Sequence, residues 1–386
     1  MLVRKKIVIF SPVGKFGGRE LETGFIASVL GEKHDVKVIS TGSYFKNSQV
    51  NIFKKNFIYT GLNKLILEKN NKVKLAIKIV SLFGRENSPN SLSGPKIKKT
   101  LKIESKKQQV IKNEIINSDL VFICAQISSS YLSDIINSSI QNRKPVLFRT
   151  TGRIDKLNYD TKTIENLNYV TKFIHHSFLN SKGLNMLKKH RFNIVDQCSY
   201  NERKLLKIAT LNKQVKNYVT ISRLVENKNI DIVIKAFNKV KEDGEKLFIV
   251  GDGNYIDELK GIAGNDVIFK GFISNNKIDE ILTICECVIV SHYDLETGPL
   301  TGVEAMSSGK IIISAKTGAM PERLPFNSFW YNGDQEELEK QIINVRKLSI
   351  NKVTSISRNV RTRYLEEYSC KSITDKYLNC VEAILN

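Results

Sequence analysis

The stretch ECVIVSHYDLETGPLTGVEAMSSGKIIISA, Glu286 to Ala315, decides the fold. Two apolar runs, ECVIVSH (286–292) and KIIISA (310–315), flank a polar loop, YDLETG, and a segment, PLTGVEAMSS, that reads as a helix. Pro299 stands at or near its first position and Gly309 just past its end, the asymmetry expected of helix termini. Strand, helix, strand in that order predicts two parallel strands joined by a crossover. The same stretch carries two carboxylates, Glu296 and Glu304, separated by seven residues around a glycine-containing turn.

The pattern extends in both directions. Upstream lie KIVIF (6–10), DVKVIS (35–40), DLVFICA (119–125), KPVLFRT (144–150) and KFIHHS (172–177), each followed by turn and helix-like residues. A linker-like segment, VDQCSYNERK (195–204), precedes a second series: NYVTIS (217–222), KLFIVG (246–251), DVIFKG (266–271) and the two runs of the opening stretch. The fold class is therefore α/β, with two Rossmann-like, doubly wound domains divided at 1–200 and 201–369. The end of the chain, SITDKYLNCVEAIL (372–385), is apolar at helical spacing, and a helix over 370–386 is expected to pack back on the first domain.

With 386 residues, 41% of them hydrophobic, the chain is long enough for a full core, and disorder is not expected. The apolar run Ile7 to Phe10 is too short for a signal peptide or a membrane span. Six cysteines without CxxC spacing give neither a disulfide framework nor a zinc site, which points to a reducing cytoplasm. Cys285 and Cys287, two apart in an apolar run, read as small buried residues on one strand face. The net charge of +21 calls for an anionic partner or surface. Residues 61–112 concentrate it, holding 12 lysines and one arginine against three glutamates. There VKLAIKIVSLF (73–83) has the pattern of a basic amphipathic helix and ENSPNSLSGPK (86–96) that of a loop. An anionic membrane surface is one reading of this segment and a merely solvated lysine-rich face the other; the chain is expected in the cytoplasm, with a peripheral place at the inner face of the cell membrane under the first reading. No RNA-binding aromatic signature accompanies the lysines, so a specific nucleic-acid partner is not expected.

In doubly wound sheets ligands bind outside the carboxyl ends of the strands, and the loops there hold the chemistry. After the first strand, SPVGKFGGRE places Gly14, Gly17 and Gly18 ahead of a helix at about 20–30. Glycines there let backbone N–H groups approach an anion, though a tight turn needs them equally. NYVTIS runs into RLVENKN, whose Arg223 and Lys228 can neutralise a diphosphate at the start of a helix over 229–241. Gly251 opens a Gly-Asp-Gly turn; Phe272 and Ile273 follow the next strand, with Ser274 placed to cap the helix after it. In the opening stretch, backbone N–H groups at Gly298, Leu300 and Thr301, beside Pro299, form an anion-favouring helix start. Carboxylates accept hydrogen bonds from vicinal hydroxyls, so Glu296 and Glu304 on either side of an anion site match a sugar, a diphosphate and a ribose. A glycosidase pair, with carboxyl groups roughly 5 to 9.5 Å apart, is the competing reading and leaves the glycine loop, the cation pair and the helix start unexplained.

These landmarks, VTISRLVENKN, IVGDGNYIDEL, VIFKGFI and ETGPLTGVEAMSSGKIIISAKTGAMPE in that order, resemble the retaining glycosyltransferases of the GT-B fold, family 4, whose most specific motif is Glu-x7-Glu. The resemblance runs from about Tyr218 to Gly318. It implies that Glu296 binds donor-sugar hydroxyls and steadies the developing oxocarbenium charge, and that Glu304 takes the ribose hydroxyls. Arg223, Lys228, the backbone from Gly298 to Thr301 and the loop at Gly17 and Gly18 would hold the diphosphate, with the base near Gly251, Phe272 and Ile273. It implies a UDP- or GDP-linked sugar as co-substrate, no other cofactor and no metal, and a glycan or lipid-linked acceptor in surface polysaccharide synthesis. A GT-B epimerase or phosphorylase is the alternative within the fold. Two departures stand out: Ser222 replaces the usual glycine before Arg223, and the histidine many members carry after a strand like KPVLFRT is absent, Thr150, Thr151, Gly152 and Arg153 standing there. Arg153, His175 and His176 are the candidates for the acceptor side.

Overall fold

The computed structural model describes residues 3–53, 56–81, 89–154, 159–291 and 297–385. Its internal contacts divide the chain into two units. The first comprises Met1–His175, Ser181–Val195 and Thr374–Asn386. Its strands are β1 (Lys6–Ser11), β2 (Asp35–Ser40), β3 (Phe57–Gly61), β4 (Leu120–Ala125), β5 (Val146–Thr150), β6 (Lys172–His175) and β7 (Phe192–Ile194). They pair in parallel in the order β3-β2-β1-β4-β5-β6-β7. All five expected runs form strands. β3 and β7 were not expected, and both are edge strands: Ile58 is 63% exposed and all three residues of β7 are half-buried, so neither shows the continuous apolar run of a doubly covered strand.

The expected basic amphipathic helix forms at Asn71–Ser81. Val73 and Ile77 enter the core while Lys72, Lys74 and Lys78 face solvent. The segment read as a loop over 86–96 differs: Pro89–Ser93 is a 3₁₀ turn and Pro95–Thr100 a helix. Its proline lies in the helix's first turn, where a missing N–H costs nothing. Residues 82–88 lie outside the described residues.

An ion pair holds the middle of this unit. Arg149, on β5, is fully buried and donates through Nε (2.8 Å) and Nη2 (2.6 Å) to one carboxylate oxygen of Glu22 on the helix Gly18–Gly31. Its third nitrogen, Nη1, donates to the Val195 carbonyl at 2.5 Å. Burial works against the guanidinium charge, but Glu22 outweighs it and holds the group above its ordinary range. The helix Cys370–Leu385 supplies Tyr377, whose ring centre lies 6.0 Å from the Arg149 guanidinium, and Glu382, 2.6 Å from Lys33.

The second unit comprises His176–Asn180 and Asp196–Ile373. Its strands are β8 (Asn217–Ile221), β9 (Lys246–Val250), β10 (Val267–Gly271), β11 (Cys287–Val290), β12 (Ile311–Ala315) and β13 (Trp330–Tyr331), parallel in the order β10-β9-β8-β11-β12-β13. Helices cover both faces. One face packs Tyr218, Ile249, Cys287 and Ile313; the other packs Val219, Val250, Val288 and Ile312. Cys285 and Cys287 are both buried but belong to opposite faces, contrary to the expected shared face. The strand starts only at Cys287, so its alternation does not reach Cys285. The expected linker is also packed: Val195 to Ser199 are buried, and Glu202–Leu205 is a helical turn.

Removing one partner of a buried pair strands the other charge, which typically costs ~3–5 kcal/mol. Glu22→Ala is therefore expected to lower the unfolding free energy by about that amount in urea titrations, and Glu22→Leu combined with Arg149→Met to recover most of it. Equal losses in the single and double variants would contradict the assignment.

Candidate functional site

In the second unit the strand order reverses between β8 and β11. That is the switch point where two loops diverge from the carboxyl ends of neighbouring strands and leave a crevice. The loop after β8 carries Arg223, which is exposed, and Lys228, which is buried in a 3₁₀ turn at Glu226–Lys228. The helix Ile230–Val240 follows, as expected. The loop after β11 begins at Ser291, whose hydroxyl donates to the Lys228 carbonyl at 2.8 Å and so ties the two loops together. Residues 292–296 lie outside the described residues, and Glu296 is among them. The chain is described again at Thr297, and Pro299 caps the helix Leu300–Ser307. Thr301 at its start donates from Oγ1 to the Ile221 carbonyl, 3.1 Å away at the end of β8.

Glycines decide how closely these loops approach. Gly251 has φ 139°, and a Cβ there would stand 1.7 Å from the Ser222 carbonyl oxygen; one at Gly253 would stand 2.1 Å from that of Leu224. The Gly-Asp-Gly turn thus lies directly against the loop that carries Arg223. Gly298 faces the Arg323 guanidinium, 2.9 Å from where its Cβ would stand, whereas a Cβ at Gly302 would meet Met320 Sδ first, at 2.4 Å, and the guanidinium at 3.0 Å. Arg323 is fully buried, forks onto both oxygens of Asp196 at 2.7 Å, and donates from Nη1 to the Pro299 carbonyl at 2.6 Å. A Cβ at Gly298 would also stand 3.5 Å from His176 Cδ2, so His176 lies near this turn.

Glu304 sits inside the helix, 3% exposed, and accepts a hydrogen bond from Asn275 Nδ2 at 2.6 Å. Burial pushes its carboxyl up to about 7, with the Asn275 amide pulling the other way. Asn275 belongs to the loop after β10, two residues past Ile273, which is half-buried against the core, and three past Phe272, which is 63% exposed. Loops from four strands therefore contribute to one edge of the sheet. Ser274 occupies the expected cap position, but its hydroxyl donates to Asn276 Oδ1 at 2.6 Å and caps no N–H. Sequence reasoning missed Asn275, Asp196 and Arg323, all of which bind their partners across long stretches of chain.

The first unit has its own reversal, between β1 and β4. Gly17 lies there with φ 147°, directly before the helix that starts at Gly18. Its N–H donates to Gln49 Oε1 at 2.8 Å, and the Gly14 N–H to Glu20 Oε1 at 2.6 Å. An anion at this loop would meet the Glu20 carboxylate. Arg153 is exposed after β5. His175 is buried, with Nδ1 2.7 Å from Thr150 Oγ1 and Nε2 2.9 Å from His190 Nε2.

Comparison with known proteins follows this division. Residues 201–363 match the family Glycosyl transferases group 1. That is most of the second unit. A curated relative, alpha-monoglucosyldiacylglycerol synthase of Streptococcus pneumoniae, is 34% identical over 106 residues, 26% of this chain and 24% of that protein. A second, the sulfoquinovosyl transferase SQD2 of Arabidopsis thaliana, is 23% identical over 166 residues, 41% of this chain and 30% of that protein. The chain thus spans 24% to 30% of the length of the curated relatives it matches. Among solved structures, a glycosyltransferase from Rickettsia africae has a TM-score of 0.71 at 16% identity, covering 99% of both chains. Anabaena Alr3699/HepE in complex with UDP-glucose has 0.70 at 17%, covering 98% of this chain and 100% of that one. With two parallel, doubly wound units, the fold is GT-B.

The Glu304 carboxyl gives a pH signature. Its folded value, about 7, lies above the ordinary 4.5, so the stability it lends is fully present below about 4.5 and is lost as pH rises through about 7. Glu304→Gln is expected to remove that decline, on the order of 3 kcal/mol, from urea unfolding measured across the window. An unchanged pH slope would show that the carboxyl titrates normally.

Proposed function

We propose that the chain is a glycosyltransferase that moves a sugar from a UDP- or GDP-linked donor to a glycan or lipid-linked acceptor, with retention of anomeric configuration. The observation that carries the reading is Glu304: a buried carboxyl beside the switch point, in the family-matched region, held by a single amide and separated by seven residues from a second glutamate. Ribose hydroxyls would replace water as its donors and favour the ionised form. Arg223 and Lys228 would neutralise the diphosphate with the turn Gly298–Thr301, which supplies the electrophilic clamp without a metal. Gly251, Phe272 and Ile273 would border the base, and Glu296 would take the sugar hydroxyls. Arg153 and His175 in the first unit and His176 in the second remain the acceptor-side candidates.

In the retaining reaction proposed, the acceptor oxygen bonds to the anomeric carbon on the face from which the diphosphate departs. The bond from that carbon to the phosphate oxygen breaks, and the same oxygen takes the acceptor proton. One curated relative is named for a glucosylated diacylglycerol and the other as a sulfoquinovosyl transferase; the first name supports a lipid-linked acceptor in surface glycan or glycolipid synthesis.

A thermal-shift screen of nucleotide sugars should find one that stabilises the chain. With that donor, Glu296→Ala is expected to abolish transfer with the fold intact, and Arg223→Ala to lower kcat/KM by on the order of 10²–10³. Full activity of the Glu296 variant would overturn the reading.

The proposed site of action is the inner face of the cell membrane. Among the described residues no helix is long and apolar enough to cross a membrane. Val73 and Ile77 are committed to the core, so any membrane contact of the helix Asn71–Ser81 rests mainly on Lys72, Lys74 and Lys78. Binding to phosphatidylglycerol vesicles should therefore fall steeply with salt and with alanine at these three positions. Retention at moderate salt by the triple variant would contradict this.

A further inference from the structure

A recess of about 550 Å³ opens on the second unit beside the amino end of β12. The strands are parallel, so their amino ends share one edge, and Lys310 directly precedes β12 as Glu286 precedes β11. The recess lies at that edge, lined by Lys204, Lys207, Lys213 and Lys310, with Asp279 the one acidic residue lining it among the described residues. Its volume falls within the usual range of small-molecule sites.

The charges do not balance internally. Lys204 donates to the Asn276 carbonyl and stands 3.6 Å from Asp279; Lys213 stands 2.6 Å from Glu286. Those contacts use the nearby carboxylates. Lys310 is 1% exposed, and among the described residues its ammonium makes neither a hydrogen bond nor an ion pair. A buried cation in that condition is costly, and an anion entering the recess would relieve it. Ile208, Ala209 and Leu211 give the recess an apolar wall, and no aromatic side chain lines it for base stacking.

We propose that this recess binds the phosphoryl group of a small phosphorylated ligand, with Lys310 reaching its oxygens from the interior and Lys207 and Lys213 from the rim. The site is separate from the sugar-donor site and does not depend on that reading. Protonation supports the geometry. Burial pulls Lys310 down to about 8; Cys285 and Glu286 act upward, and Lys213 and Arg361 act downward. Arg361 itself is committed to the Ser307 and Ile208 carbonyls. A bound phosphate would restore the Lys310 proton, so binding above about pH 8 should take up a proton.

Calorimetry of the full chain with glycerol 3-phosphate and with inorganic phosphate tests this, in buffers of differing ionisation enthalpy. The expected result is binding weakened on the order of tenfold or more by Lys310→Met and by Lys207→Ala, unaffected by Arg223→Ala, with proton uptake that Lys310→Met removes. Phosphatidylglycerol vesicles form the second arm: sensitivity to Lys310→Met only there would assign the phosphoryl group to a lipid headgroup, and only with the soluble probes to a free ligand. No Lys310-dependent binding in either arm, or binding abolished by Arg223→Ala alone, would overturn the proposal. Because Lys207 is exposed, its variant keeps the test decisive even if the buried substitution disturbs folding.

Discussion

The Arg323 guanidinium fixes the turn that opens the helix Leu300–Ser307 in the second unit. It is fully buried, forks onto Asp196, and donates from Nη1 to the Pro299 carbonyl. A fork fixes a plane as well as a distance, so the carbonyl before the helix Leu300–Ser307 has little freedom to turn. Gly298 follows from the same contact, leaving the room the guanidinium fills, while Gly302 makes room first for the Met320 side chain. The desolvation of two charges makes such a pair an uncertain source of stability, whereas its directional bonds define where the helix begins.

A second constraint comes from the Gly-Asp-Gly turn. With Gly251 and Gly253 pressed on Ser222 and Leu224, the loops after β8 and β9 pack backbone against backbone. The Leu224 N–H donates to the Asp252 carbonyl at 2.9 Å, and the Gly251 N–H to that of Gly271 at 2.9 Å. Arg223 thus projects from a loop supported by two neighbours, while Ser291 fixes Lys228 from the other side of the reversal. The serine at 222 meets the turn through its backbone carbonyl, and its N–H donates to the Val250 carbonyl at 3.0 Å.

Much of this was legible in the sequence, for a physical reason. Strands covered on both faces must be apolar throughout, and helix ends demand particular residues, so β11, the helix with its proline and glycine, and β12 announce themselves. Glu304 was locatable because its spacing from Pro299 places it on a helix. Its partner was not: Asn275 lies 29 residues away, in an otherwise ordinary turn. Arg323 and Asp196, and likewise Arg149 and Glu22, are each 127 residues apart, and such pairings leave no periodic trace. Arg149 did give half a signal, as a charge inside the apolar run KPVLFRT; what it lacked was the identity of the carboxylate.

The composition points elsewhere than the sites do. A net charge of +21 is carried largely by solvated lysines and governs long-range attraction, whereas chemistry depends on the few ionisable groups that folding takes out of water. Glu304 and Lys310 are such groups, six residues apart on either side of one helix end, the first pushed up to about 7 and the second pulled down to about 8. Burial acts on both by disfavouring charge, which sends an acid and a base in opposite directions and brings both into the neutral range. Each would then be poised to change protonation when a ligand of the right polarity arrives: hydroxyl donors for the carboxylate at one end of the sheet, an oxyanion for the ammonium at the other.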